Sequence, residues 1–360
     1  MRLPLTTLCL TLPVLAQGAY APRPDLEEGR FLKALAEAEA QLKLNHSHAL
    51  AWAAKSHALS ALLRFSEALD CAQRALALNH RLADAYLARG LARGGYAIQQ
   101  RNFGSLRKAT GAMDDLRRAT ELDPTLAPAW MSLGLAYQQM PGILGGSTKK
   151  ALKCAEALRR VRPERGDLLQ GMILSLEKRW KEAEPYFSRA LSTGSSDPQV
   201  VAGYLEALGS RETREAMGEG TQKARLVQEA RRFLPQMGRS AKGMEAISDA
   251  LLDGGQPEEA WDTAQKALNK ADSPSILHLT LGKISAKSGL HRESGLGHLD
   301  IALNGPLEGG SGGYATVWWR KGQILRDLNR DEDARLAVLN ALEIEPKHPA
   351  SNRLLKLLEK

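Results

Sequence analysis

The segment Trp130-Met131-Ser132-Leu133-Gly134-Leu135-Ala136-Tyr137, followed by more helix-forming residues and then Pro163, constrains the fold more than any other stretch of this chain. Its aromatic, small and apolar residues recur at three- and four-residue intervals, which places them on one face of a helix. The same order returns almost two hundred residues later as Trp318, Gly322 and Leu325, with Ala334, Ala341 and Pro346 behind them. A repeated register specifies a repeated unit, here a pair of antiparallel helices.

One such pair cannot bury its own apolar face, so copies must stack. The aromatic wedges against the next helix, while Gly134 or Gly322 lets two backbones approach. A small residue is needed where the helices cross. Ala34, Ala68, Ala112, Ala151, Ala183, Ala224, Ala260, Gly295 and Ala334 form that column, spaced 32 to 44 residues apart. The longer intervals imply loop insertions between the helices.

This is the W-x2-L-G-x2-Y…P pattern, and from Asp25 to Lys360 the chain resembles the tetratricopeptide-repeat family. The resemblance implies an all-α, right-handed superhelical solenoid of about eight helix pairs that holds peptides, helices or whole proteins in its groove without catalysis. An opening helix over 25–44 leads into repeats at 49–80, 83–124, 127–163 and 164–195. A degenerate one at 197–236 is broken near Met217-Gly218-Glu219-Gly220. Repeats at 241–272, 275–304 and 315–346 follow, and a capping helix at 350–360 ends the array. Residues 83–124 carry an insertion, Gly94 to Phe103, and residues 127–163 a shorter one, Met140 to Ser147. Gly305 to Gly313 reads as a flexible loop.

Aromatics make up only 5% of the residues, and no runs of Val, Ile and Thr suggest strands. The uncharged apolar stretch from Leu3 to Ala16 after Arg2 reads as a signal peptide spanning about 1–18, cleaved after Ala16 or Gly18. That places the mature array, 19–360, outside the cytoplasm, periplasmic or secreted, with no further segment able to span a bilayer. Cys71 and Cys154 occupy equivalent positions two repeats apart, too far to form a disulfide.

Enzymatic signatures are lacking, and neither a cofactor nor a metal is expected. His46, His48 and His57 cluster, but His46 and His80 stand where other repeats place Pro and are turn residues. Gly145-Gly146-Ser147 followed by Lys149 and Lys150 forms a candidate anion-binding loop at a helix start, with Ser147 as a simple N-cap in the plainer reading. The formal charge is +8, and residues 83–165 hold fourteen Lys and Arg against seven Asp and Glu. Such an excess suits an acidic protein surface, an anionic lipid or a polyanionic polymer better than nucleic acid, since aromatics are not interleaved for base stacking.

First helices line the groove in the related family. In this chain they offer Leu50, Ala53 and His57, then Asp84, Leu87 and Leu91, then Pro128, Met131 and Leu135, an apolar row. At the far end stand Trp319, Arg320 and Gln323, the candidate partner-binding residues, with Trp318 as the packed member of the tryptophan pair. The functional expectation is an exported, non-catalytic adaptor for a protein or peptide partner, an acidic one included. The alternative is a transport component holding a small solute or lipid.

Overall fold

The computed structural model describes residues 25–26, 29–100, 103–308 and 313–359, without the side chains of 100 and 103–107. The expected signal peptide lies outside the described residues. Helix α1 spans Phe31–Leu44. Pairs follow: α2 (Ala49–Ala61) with α3 (Phe65–Leu78), α4 (Ala83–Gln100) with α5 (Phe103–Leu122), α6 (Ala127–Gln139) with α7 (Thr148–Val161), and α8 (Pro163–Leu176) with α9 (Trp180–Gly194). Helix α10 (Pro198–Gly209) is succeeded by two helices, α11 (Arg211–Met217) and α12 (Glu219–Phe233). Pairing resumes with α13 (Ala241–Asp253) and α14 (Pro257–Leu268), α15 (Pro274–Ser288) and α16 (Arg292–Asn304), and α17 (Gly313–Asp327) and α18 (Asp331–Ile344). Helix α19 (Pro349–Leu358) ends the array, and no strand occurs among the described residues.

Short polar side chains set the turns between pairs. Asn45, Asn79 and Asp123 each accept, through a side-chain oxygen, the backbone N–H two residues on, at 3.0, 3.0 and 2.9 Å. The column tryptophans brace the same turns: the indole N–H of Trp52 donates to His46 O and that of Trp130 to Pro124 O, both at 2.8 Å. Within a pair the chain reverses through a left-handed residue just past the first helix, namely Leu63, Lys178, Gly255 or Asn329.

Packing follows the small-residue column. Ala34, Ala68, Ala151, Ala183, Ala260 and Ala334 have no exposed surface. A Cβ on Gly322 would lie 2.9 Å from Val338 and 3.2 Å from the Ala334 carbonyl, so only glycine permits that crossing. Ala224 departs from the column and is exposed. Gln222 is buried there instead, donating its amide to Leu208 O at 2.6 Å and Ser210 O at 2.8 Å. The cause is α11, a short extra helix ending at Gly218 with φ of +86°, which resets the register of α12.

Two further expectations need correcting. The insertion after Gly94 is not a loop: α4 and α5 simply run on, at 18 and 20 residues against 13 and 14 in the pair before. The hairpin therefore projects about 8 Å further, at 1.5 Å per residue. Nor is the whole glycine-rich segment a free loop, because Leu307 and Glu308 are buried; residues 309–312 lie outside the described residues.

Glu308 joins the two ends of the array. Helix α1 has no side-chain cap of its own, and the Glu308 carboxylate supplies one, accepting the Leu32 N–H at 2.8 Å and the Phe31 N–H. Ser275 Oγ donates to its other oxygen at 3.1 Å. Leu63, left-handed and thus strained for a leucine, packs on the C-terminal cluster of Leu279, Leu299, Val317 and Ile324. The first pair is thereby docked on the last ones.

Candidate partner-binding groove

The row of charges on first helices follows from the repeat period. Asp249 and Asp253 lie one turn apart on α13, and 34 residues later the equivalent positions on α15 are Lys283 and Lys287. Stacking brings these equivalents together: Lys283 pairs with Asp249, and Lys287 Nζ lies 2.8 Å from Asp253. Lys242 Nζ is 2.9 Å from the buried Glu245. Burial pushes the Asp249 carboxyl up against the pull of Lys283, with Glu245 adding to the rise. Burial works against the charge of Lys242 too, but Glu245 and Glu206 outweigh it and raise its pKa. Glu206, Glu212, Glu245, Asp249 and Asp253, with Arg211 and Lys242, line a cavity of about 460 Å³ beside α10 and α13. None of these residues stood out in the sequence, although the 34-residue offset of acid and base was readable there.

Trp319, Arg320 and Gln323 continue the row on α17. The Arg320 guanidinium lies over the Trp319 ring, 4.6 Å from its centroid, and donates to Gln323 Oε1 at 3.4 Å. Burial lowers its pKa, while Asp249 and Asp253 oppose that through space. Among the described residues no carboxylate pairs with it, and it rests on the aromatic face and on Gln323. Trp319 meets His348 edge-on at 5.9 Å, and His348 in turn accepts the Ser351 N–H as the cap of α19. Trp318 packs against the C-terminal cluster, with Lys321 Nζ 5.2 Å above its ring.

The opposite end of the row is apolar. Leu87 is buried, and Leu91, Met131, Leu135 and Met172 are partly buried along α4, α6 and α8. His57, on α2 with its ring 6.5 Å from that of Phe31, has its pKa pushed down to about 4 by burial, a fall that Asp84 only partly offsets. His48 caps α2 by accepting the Ala51 N–H at 3.2 Å, and His46 packs edge-on to Trp52. Burial raises the Cys71 thiol and takes Cys154 to about 12, which makes both unreactive.

In the Pro141 to Ser147 turn the backbone N–H groups of residues 144 to 147 are already spent. Leu144 and Gly146 donate to Pro141 O, Gly145 to Gly142 O and Ser147 to Tyr137 O, at 2.8 to 3.1 Å. Ser147 Oγ accepts the Lys150 N–H at 3.3 Å. Gly145, Gly146 and Ser147 thus close a turn and cap α7. What this turn retains for an anion is the exposed charge of Lys149 and Lys150.

The tetratricopeptide-repeat family model matches residues 315–348, the α17–α18 pair with its Gly322 and Ala334 crossing. Residues 315–348 form a tetratricopeptide repeat. No curated protein matches it. Among solved structures it is similar to the APC/C Cut9–Hcn1 hetero-tetramer at 14% identity, covering 94% of this chain and 55% of that one, with a TM-score of 0.47. Yeast Tom70 is similar at 12% identity over 94% of this chain and 80% of that one, TM-score 0.47. PilF of Pseudomonas aeruginosa shares 17% identity over 65% and 97%, TM-score 0.41.

Proposed function

We propose that this chain is an exported, non-catalytic protein-interaction scaffold, an adaptor that grips an acidic side chain or chain end of its partner at Arg320. The observation that carries the reading is a partly buried guanidinium, flattened on Trp319 and left without a carboxylate among the described residues. A planar fork held on an aromatic face is pre-organised for bidentate carboxylate binding. Gln323 can offer its amide N–H groups to the same ligand. Lys283 and Lys287 hold Asp249 and Asp253, which keeps those carboxylates from closing on Arg320. The apolar row of Leu91, Met131 and Leu135 would take aliphatic residues of an extended partner segment. The cavity near Glu206 and Glu212 is of a size for small molecules, but its carboxylate lining favours a cation over the anionic or apolar solute of the transport reading.

The test uses the full chain as bait against an extract of its own cell envelope, beside Arg320→Gln and Trp319→Ala baits of equal thermal stability. A specific protein retained by the unaltered chain and lost from both variants supports the reading. Identical retention by all three baits refutes it.

A further inference from the structure

We propose that the edge formed by the Pro141 to Ser147 turn and the start of α7 docks on the surface of an anionic lipid bilayer. Ile143 stands at the crest of this turn with 93% of its surface exposed. It has no way to retreat. The turn is locked by the Leu144, Gly145, Gly146 and Ser147 N–H bonds, Gly145 is left-handed, and a Cβ on Gly146 would overlap the Met140 carbonyl. A large aliphatic side chain is thus presented to the outside by a rigid device.

Lys149, Lys150 and Lys153 are exposed on the first two turns of α7, within about 6 Å of one another along the helix axis. None pairs with a carboxylate among the described residues; Lys150 leans on the Tyr137 ring. On α5, by contrast, Arg117 and Arg118 are neutralised by Asp114 and Glu121. The local excess of charge therefore gathers beside Ile143. At the same edge of the solenoid the neighbouring α4–α5 hairpin, itself overlong, exposes Ile98 near its tip at 66%. Adjacent repeats thus each spend an insertion on displaying an isoleucine.

The chemistry favours lipid over a folded protein. A projecting isoleucine flanked by lysines offers no recess to read a fixed shape, and lysine ammoniums suit mobile headgroups where arginine forks suit fixed carboxylates. One apolar side chain with a few lysines gives weak, reversible binding, each lysine contributing about five-fold on an anionic surface. Among the described residues no helix is long and apolar enough to cross a membrane.

The experiment is flotation of the full chain with vesicles of phosphatidylcholine alone or with phosphatidylglycerol added, at low and high salt. Binding should need phosphatidylglycerol, weaken with salt, fall about five-fold in Lys149→Gln or Lys153→Gln, and fall further in Ile143→Ser at unchanged charge. Trp319→Ala, which tests the groove, should bind vesicles like the unaltered chain. No binding to either vesicle, or equal binding to both, overturns the proposal. Equal vesicle binding by Ile143→Ser, with matching affinity for soluble heparin, would replace it with a simple polyanion site.

Discussion

Gly166 gives the sharpest test of the packing. It lies buried in the first turn of α8, where a Cβ would sit 2.4 Å from both the N and the Cα of Arg159 on α7. Ordinary contact begins near 3.4 Å. Because the obstructing atoms are backbone, no side chain can swing aside, and α7 and α8 must part by about 1 Å. Gly→Ala in a helix otherwise gains about 1 kcal/mol, whereas overpacking costs about 1 to 3 kcal/mol or more. Parting the helices also stretches the Arg159–Asp167 bond of 2.9 Å. A clash of 2.4 Å with backbone atoms takes the upper part of that range, about 2 to 3 kcal/mol, so Gly166→Ala should lose about 1 to 2 kcal/mol net. Gly297, exposed on α16 with nothing within 4 Å of its missing Cβ, provides the control. Gly297→Ala should gain about 0.5 to 1 kcal/mol. Urea unfolding followed by far-ultraviolet circular dichroism would show the two midpoints moving in opposite directions. A Gly166→Ala midpoint at or above that of the unaltered chain would refute the close approach of α7 and α8.

Glu308→Ala should uncap α1 from across the array, costing about 1 kcal/mol and speeding hydrogen exchange at the Leu32 amide while amides in α13 are unchanged; equal protection of Leu32 would show that the ends do not depend on this carboxylate. Gln222→Ala leaves the Leu208 and Ser210 carbonyls without their donor and should cost about 1 to 3 kcal/mol in thermal unfolding, whereas Ala224→Ser, on the exposed side, should be near neutral. His57 folds as the neutral imidazole, so its native pKa of about 4 lies below the ordinary 6.5. Below pH 6.5 the unfolded chain takes up a proton that the folded one refuses. Stability is therefore full above pH 6.5 and falls as the pH drops toward 4, by at most about 3 kcal/mol. His57→Phe should flatten this part of the stability profile, leaving the smaller slope from His278 and His298, whose pKa values burial also lowers. An unchanged profile would mean that His57 is solvated.

How much was legible in the residues depended on the range of the contact. Trp130, Gly134, Gly322 and the alanine column mark a helix pair because the partners they need lie within one or two repeats, at offsets the period fixes. Trp319, Arg320 and Gln323 could be picked out for the same reason, since a position in the repeat implies a face of the solenoid. Their surroundings could not. That Arg320 lies on Trp319 while Lys283 holds Asp249 depends on which of several long side chains reach one another, and rotamers are chosen by packing. Ala224 was misplaced because the small-residue column assumes a constant register, which α11 interrupts. The insertion after Gly94 reads as a loop in the sequence because its glycines weaken the helical signal; tertiary packing of α4 on α5 overrides that local preference.

The amino-acid sequence by itself determined the helix pair, the order of repeats, the turns closed by Asn45, Asn79 and Asp123, and the apolar and basic regions along the array. All of these rest on neighbours close in the chain or one period away. The tertiary structure alone decided that Glu308 caps α1, that Leu63 accepts left-handed strain to seat on the C-terminal cluster, and that Gly166 yields its space to the backbone of Arg159. The first two join residues hundreds of positions apart, and the third turns on fractions of an ångström between helix axes. No periodicity encodes such distances; they are set by how far each stacked pair rotates on the one before it.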